Sequence, residues 1–419
     1  MAALFWCFFA FGPDSAHPGL VTLVPITATC VLLALHQSGS MVHTVLSTRL
    51  PVAVGLISYS LYLVHQPLLA IARTVSLEPL SAAMLTGLLA ASVVLAWLMW
   101  RFVERPFRAY DRFTLTQTFI GAILLIAAGV GVGGMLYATT GLPQRYGDET
   151  VQTVRPGPAP LPTEAIAGIA RRTHVVLWGD SHSEMLEPAA RRIAEATGGR
   201  VTSYHNGGCP PIPGFDNDWR NAVGPRCSTF NAQTLERVLD QPAPAVIVLA
   251  ARWPNYLRAP TDADEFGHPW TLASRSIFPS SQQRWTKDSS EEAGRSLGRV
   301  VGALEAAGHR VILVGPVPNQ RVHADDLGFL LAGNRVAIDR ASVPTHIHDG
   351  ASATARRMLA QSLDSNSAHI VDPADLFCDD VRCSYLVDGR MAYRDGNHLN
   401  GWGAMPLVSA IYRRAANGS

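Results

Sequence analysis

Long apolar runs fill the first third of the chain and disappear from the rest. Crossing a bilayer core of roughly 30 Å takes about 20 apolar helical residues. Four stretches reach or approach that length: 20–36, 51–72, 81–100 and 118–137. A further run, AALFWCFFAF at 2–11, is too short to span. It lacks the basic start and cleavage site of a secretory signal peptide, and reads as the remnant of a spanning helix. Residues 138–172, including RPGPAPLP at 155–162, are rich in Pro, Gly and Thr and read as a linker. After 173 the period changes again. HVVLWGDSHSEMLEPAARRIAEA (174–196) gives an apolar strand, a tight turn and an amphipathic helix. Further apolar strands lie in RVTSYHNGGCPP (200–211), PAVIVLAARW (244–253), HRVILVGPVP (309–318) and HIVDPADLFC (369–378). Short continuous apolar strands alternating with helices predict a parallel sheet covered on both faces, a three-layer α/β/α domain. The expected organisation is a partial bundle of transmembrane helices (1–137), a linker (138–172) and an α/β domain (173–419).

Charge sharpens that division. The 419 residues carry 34 basic and 33 acidic side chains, net +1, which argues against a nucleic-acid partner. With 48% hydrophobic and 16% charged residues, general disorder is excluded. Only Arg49, Arg73, Arg101, Arg105, Arg108 and Arg112, with Asp14, Glu78, Glu104 and Asp111, fall before residue 140. RFVERPFRAYDR, 101–112, places four of these arginines between two spans, and basic loops stay in the cytoplasm. The span 118–137 then runs outward, and the α/β domain lies outside the cytoplasm. Cysteine usage agrees. Cys7 and Cys30 sit in apolar segments, where a thiol behaves as a small hydrophobe. Cys209 with Cys227 and Cys378 with Cys383 form pairs in the α/β part, as expected in an oxidising compartment. The first pair would close a loop of roughly 20 residues, a constraint of about 3 kcal/mol. No CxxC pair or histidine cluster supports a metal site.

In parallel sheets the chemistry gathers at the carboxyl ends of the strands. The first strand ends in Gly179-Asp180-Ser181-His182. A serine at a strand-to-helix turn is exposed, with its amide near the helix start where an oxyanion is favoured. Its hydroxyl is a weak nucleophile and needs a base. YRDGNHLNGWGA, 393–404, supplies Asp395-x-x-His398. At that spacing the carboxylate can meet one imidazole nitrogen and leave the other for a serine. Taken singly, the first motif is an ordinary helix N-cap and the second an ordinary surface turn.

Taken together, in this order at the two ends of one α/β domain, they resemble the SGNH (GDSL-type) serine esterases and acyltransferases. The GDSH turn, Cys209-Pro210-Pro211, the ARW of 251–253 and D-x-x-HL further resemble the subgroup fused behind acyltransferase-3 membrane domains. The membrane part agrees: SYSLYLVHQPLL (58–69), RFVERPFR (101–108) and PGLVTLVPITATCVLLA (18–34) resemble the C-terminal end of such a domain. In that family the domain moves acyl groups, usually acetyl, across the membrane, using a histidine and arginines of early helices. Those helices are not in this chain, so the resemblance implies a truncated or split version. His65, before Pro67, is given no catalytic role.

The resemblance implies Ser181 as nucleophile, His398 as general base and acid, and Asp395 as orienting carboxylate, with Asp180 a structural turn residue. It implies an oxyanion hole from the Ser181 amide and Gly208, with Gly207 next in line. The family's third donor is an asparagine, and none stands where the usual motif would place it. Asn255 lies further round the loop, so the expected alternatives are Arg252 or Trp253 as the third donor or a hole of two donors; Arg252 and Trp253 are also the expected substrate-binding residues. The function implied is a membrane-bound O-acyltransferase of the bacterial inner membrane, with its SGNH domain in the periplasm. An acyl-CoA such as acetyl-CoA would be the ultimate donor, a cell-envelope glycan the acceptor, and no cofactor is tightly bound. A separate membrane acyltransferase is the expected partner for the missing helices. The alternatives are a membrane-anchored carbohydrate esterase and a non-catalytic partner of another acyltransferase.

Overall fold

In the computed structural model the chain divides into two units, Met1–Val132 and Gly133–Ser419. The structure describes residues 6–7, 10, 22–34, 39–75, 80–108, 114–139, 141–142, 148–162, 172–217, 226–257, 278–281, 289–321, 324, 335–363 and 370–416.

The first unit is helical. Helices α1 (Leu23–Ala34), α2 (Arg49–Val75), α3 (Ala82–Met99) and α4 (Leu115–Ala138) follow the apolar runs. Three helical stretches, Arg49–Arg73, Ala82–Phe107 and Leu115–Ala138, are long and apolar enough to cross a membrane. The run expected at 20–36 gives only the 12-residue α1 among the described residues. Most of the 2–11 run lies outside them. A π-helical turn, Trp100–Glu104, carries α3 into the arginine-rich loop. There Glu104 accepts a hydrogen bond of 2.6 Å from the fully buried Ser60 of α2 and pairs with Arg108. A carboxylate beside an apolar bundle needs such partners, because unpaired burial of its charge is costly. The ring of His65 turns back on its own helix, with Nδ1 2.9 Å from the Leu61 carbonyl.

The second unit is the expected α/β domain. Strands β1 (His174–Gly179), β2 (Arg200–His205), β3 (Val246–Ala250), β4 (Arg310–Val314) and β5 (Ile370–Val371) form one sheet in the order β2-β1-β3-β4-β5. Every pairing in it is parallel. Strand order reverses between β1 and β3, and ligands of open parallel sheets bind at the carboxyl side of such a switch point.

Among the helices of the unit are α5 (Asp148–Val154), α6 (Ser181–Glu184), α7 (Glu187–Thr197), α8 (Cys227–Leu239), α9 (Ser289–Ala306), α10 (Thr345–Gln361) and α11 (Gly401–Ala416). On one face, Val176, Trp178, Ile247, Leu249, Val311 and Leu313 pack with Leu297, Val301 and Leu304 of α9 and Met358 and Leu359 of α10. On the other, α7 and α11 bury Ile193, Leu407, Val408 and Ile411. The amphipathic pattern explains α7: Ala189, Ala190, Ile193 and Ala194 recur at helical spacing on its buried side, and Gly198 ends it in the left-handed region.

Part of the stretch read as linker is structured. Residues 148–154 are helical, Ala159 is buried, and its carbonyl accepts a 2.7 Å hydrogen bond from Arg192 of α7. Prolines donate no backbone hydrogen bond, but their neighbours' carbonyls still accept, so a Pro-rich segment can dock along a folded surface.

Candidate active site

β1 ends at Gly179, which lies opposite Ala250 of β3 in the sheet register. A Cβ on Gly179 would stand 1.8 Å from the Ala250 carbonyl oxygen. Only glycine lets the two strand ends approach this closely. Asp180 follows as the N-cap of α6, almost wholly buried. Its Oδ1 accepts from the His182 amide at 2.8 Å; its Oδ2 accepts from the Arg252 amide at 3.0 Å and the Tyr256 hydroxyl at 2.8 Å. This carboxylate therefore ties the turn after β1 to the loop after β3. With three donors on it, Asp180 is a structural residue of the turn.

Ser181 opens α6 on the cavity side. Its Oγ lies 2.8 Å from Nε2 of His398. Nδ1 of His398 lies 2.7 Å from Oδ2 of Asp395. The other Asp395 oxygen accepts from the amides of Asn397 and His398, each at 2.8 Å. Half-burial alone would raise the Asp395 pKa. The hydrogen bond from His398 and the two amides outweigh it and hold the carboxyl well below its ordinary value. Asp395 is thus ionised and fixed in direction, and it places the proton of neutral His398 on Nδ1. Nε2 is left as the acceptor facing the serine.

A cavity of about 270 Å³ opens in front of this relay. Ser181, Gly207, Gly208, Arg252 and Asn255 line it, together with Asn217, Tyr256, Asn397 and His398. Gly208 adopts φ +79° in the turn closed by the Cys209 amide on the Asn206 carbonyl. Asn217 donates to the Gly208 carbonyl at 2.6 Å. The disulfide Cys209–Cys227 and the hydrogen bond from buried Asn231 to the Pro210 carbonyl pin the next residues to α8. The second disulfide, Cys378–Cys383, is also formed. Cys7 and Cys30 are free thiols.

Two expectations for the third strand change. Trp253, expected to face the substrate, is instead fully buried in the core and donates its indole N–H to the Val314 carbonyl at 2.6 Å. Asn255, set aside as too far round the loop, lines the cavity. A single 3₁₀ turn, Trp253–Asn255, closed by the Asn255 amide on the Arg252 carbonyl, folds it back beside the strand end. Pro254 at the start of that turn was the available sequence signal. Arg252 stays at the cavity wall. A larger groove of about 700 Å³, lined by Arg295, Arg299 and Arg357, holds no nucleophile–base pair among the described residues.

Residues 148–413 match the family of SGNH domains described as fused to AT3 domains. The chain belongs to that family. The match takes in the docked segment 148–162 as well as the α/β domain. The periplasmic domain of the lipopolysaccharide acetyltransferase of Salmonella ser. Paratyphi A is 16% identical to this chain. That likeness covers 63% of this chain and 94% of the Salmonella domain, with a TM-score of 0.39. Comparison with curated proteins returns no match. Within the SGNH domain, sequence reasoning named neither Asn217 nor Asn397, and it quoted His182 only as part of its motif; all three belong to the wall or support of the site.

Proposed function

We propose that this chain is a membrane-bound O-acyltransferase that modifies an extracytoplasmic, cell-envelope glycan through an acyl-enzyme on Ser181. The observation that carries the reading is the continuous relay from Asp395 through His398 to Ser181, with 2.7 and 2.8 Å links. His398 Nε2 removes the Ser181 proton as the hydroxyl attacks the donor carbonyl. The Ser181 amide, the Gly208 amide and Asn255 are the donors for the oxyanion that develops on the acyl carbonyl. The imidazolium then protonates the departing group. In the second half-reaction His398 takes a proton from a sugar hydroxyl, which attacks the acyl carbonyl; the acyl–Oγ bond breaks and the imidazolium returns the proton to Ser181 Oγ. On this reading Arg252, which lines the cavity, contacts the acceptor.

Family membership supports acyl chemistry, and the three long apolar helices support a membrane tether. On this reading the inner membrane holds the helical unit, the SGNH domain faces the periplasm, and an acyl-CoA such as acetyl-CoA is the ultimate donor. A separate membrane acyltransferase would deliver the acyl group. The test compares glycan acetylation by mass spectrometry in cells carrying the wild-type chain or Ser181→Ala. Loss of acetyl groups with Ser181→Ala is the expected result; equal acetylation would reject the mechanism. Acetate release from the isolated full chain that no glycan acceptor diminishes would establish an esterase instead.

A further inference from the structure

The relay joins two pieces of chain far apart in sequence, the turn after β1 and the loop 395–398. Something must set their spacing, because a shift of about 1 Å at a reacting centre can cost on the order of 10²-fold in rate. Asp395 orients His398 from within the same loop and does not reach the β1 turn. Next to His398 the Leu399 amide donates to Met185 Sδ at 3.1 Å, and among the described residues a further side-chain contact spans the gap at the nucleophile itself. His182, next to the nucleophile in α6, has its ring buried at 2% exposure, with Nε2 3.1 Å from Oδ1 of Asn397. Asn397 in turn gives its amide to Asp395 and lines the cavity beside His398. The His182 and His398 rings lie 5.1 Å apart, centroid to centroid.

We propose that His182 is a positioning residue, which donates its Nε2 proton to the Asn397 carbonyl oxygen and so locks the acid–base loop in register with Ser181. This rests on the acyl-enzyme reading above. Geometry assigns the direction of the bond: Asn397 Oδ1 accepts only, so the neutral ring carries its proton on Nε2. Nδ1 is buried without a hydrogen-bond partner among the described residues. Burial, the largest influence, pushes the His182 pKa down to about 4. The ring is therefore neutral at working pH and sets no second positive charge against the imidazolium that forms on His398.

The test uses the full-length chain in detergent, as wild type, His182→Ala, His182→Gln, Asn397→Ala and the His182→Ala/Asn397→Ala double variant. Three readouts are taken: Ser181 labelling rate by a fluorophosphonate, kcat and KM on a model acetyl ester, and the downfield NMR signal of the His398 Nδ1 proton shared with Asp395. His182→Ala should slow labelling and lower kcat by at least roughly tenfold, with KM nearly unchanged and the proton signal broadened or lost. Asn397→Ala should act alike and the double variant no worse than either, because both remove one contact. His182→Gln, which keeps a donor at similar reach, should recover most of the activity. Wild-type labelling rate and proton signal in a folded His182→Ala, or single effects that multiply in the double variant, would overturn the proposal. If wild-type Ser181 resists the reagent, the acyl-enzyme reading fails, while the proton signal still decides what His182 does.

Discussion

Asp395→Asn separates orientation from every other contribution of the site. Asparagine is isosteric, and its side-chain oxygen can keep both hydrogen bonds that Asp395 Oδ1 accepts from the Asn397 and His398 amides. The loop should therefore keep its shape. What changes is the atom 2.7 Å from His398 Nδ1, where an NH₂ group replaces a carboxylate oxygen. Two donors cannot face each other, so the His398 proton moves to Nε2. That nitrogen lies 2.8 Å from Ser181 Oγ and can then only donate to it. The base is lost without loss of structure. The same exchange in a Ser-His-Asp protease lowers turnover about 10⁴-fold, or roughly 5.5 kcal/mol at 1.36 kcal/mol per decade; a fall of about 10³–10⁴ is expected here. The assay is hydrolysis of a model acetyl ester by wild type and variant, with thermal unfolding as the control for folding. Asp180→Asn is the counterpart. It leaves one of three buried donors facing an NH₂ group, which should cost about 1–3 kcal/mol of stability and far less in turnover per folded molecule. A well-folded Asp180→Asn without activity beside an active Asp395→Asn would show that the orienting carboxylate is misassigned.

Three further outcomes follow from the geometry. Asn255→Ala should reduce kcat about 10²–10³-fold with little change in KM, the usual cost of one oxyanion donor; unchanged kcat would leave the hole with two donors. Replacing Cys209 and Cys227 by serine should lower stability by about 2–5 kcal/mol and depress turnover by releasing the Gly208 turn, measured by thermal unfolding and ester hydrolysis. Acidification should destabilise the domain between about pH 6.5 and 4. His182 and His348 are both lowered by burial, to about 4 and about 3. The unfolded chain therefore takes up their protons first, and each removes on the order of 3 kcal/mol as pH falls through that window. Asp395, shifted down, acts only below about pH 4. Unfolding of His348→Gln should be less pH-dependent than that of wild type; an equal dependence would show that His348 does not carry it.

How much of this was legible in the sequence depends on whether the information is local. Strand cores such as VVLWG and VIVLA are apolar on both faces, and only a covered parallel sheet accommodates that, so the architecture followed from pattern alone. The meeting of Ser181, His398 and Asp395 was legible because each sits in a short motif whose spacing constrains its neighbours. The third strand's loop was harder. Its residues are all within a few positions of the strand end, and one 3₁₀ turn decides which of them faces the cavity. Linear distance favoured Arg252 and Trp253 over Asn255, and the turn exchanges the last two: the indole goes into the core and Asn255 to the cavity wall. The Pro-rich stretch failed for a similar reason, since composition measures whether a segment can build its own core and says nothing of docking on another.

His182 and Asn397 were harder still. Their contact joins residues 215 positions apart, and neither carries a local pattern that predicts it. Asp180 and His182 flank Ser181, the proposed nucleophile, and on that proposal divide the positioning between them. Asp180 points toward β3, fixing the turn against Arg252 and Tyr256, and His182 points toward the loop that carries the base. The serine between them is thereby held from two sides. The motif Gly-Asp-Ser-His is then four separate requirements: no side chain at the strand crossing, an anchor to one neighbour, the nucleophile, and an anchor to the other. This division makes a sharp distinction between the two flanks. Loss of the Asp180 anchor should appear first as stability, because its three hydrogen bonds are buried within the framework. Loss of the His182 anchor should appear first as rate, because its single bond ends on the loop that holds His398.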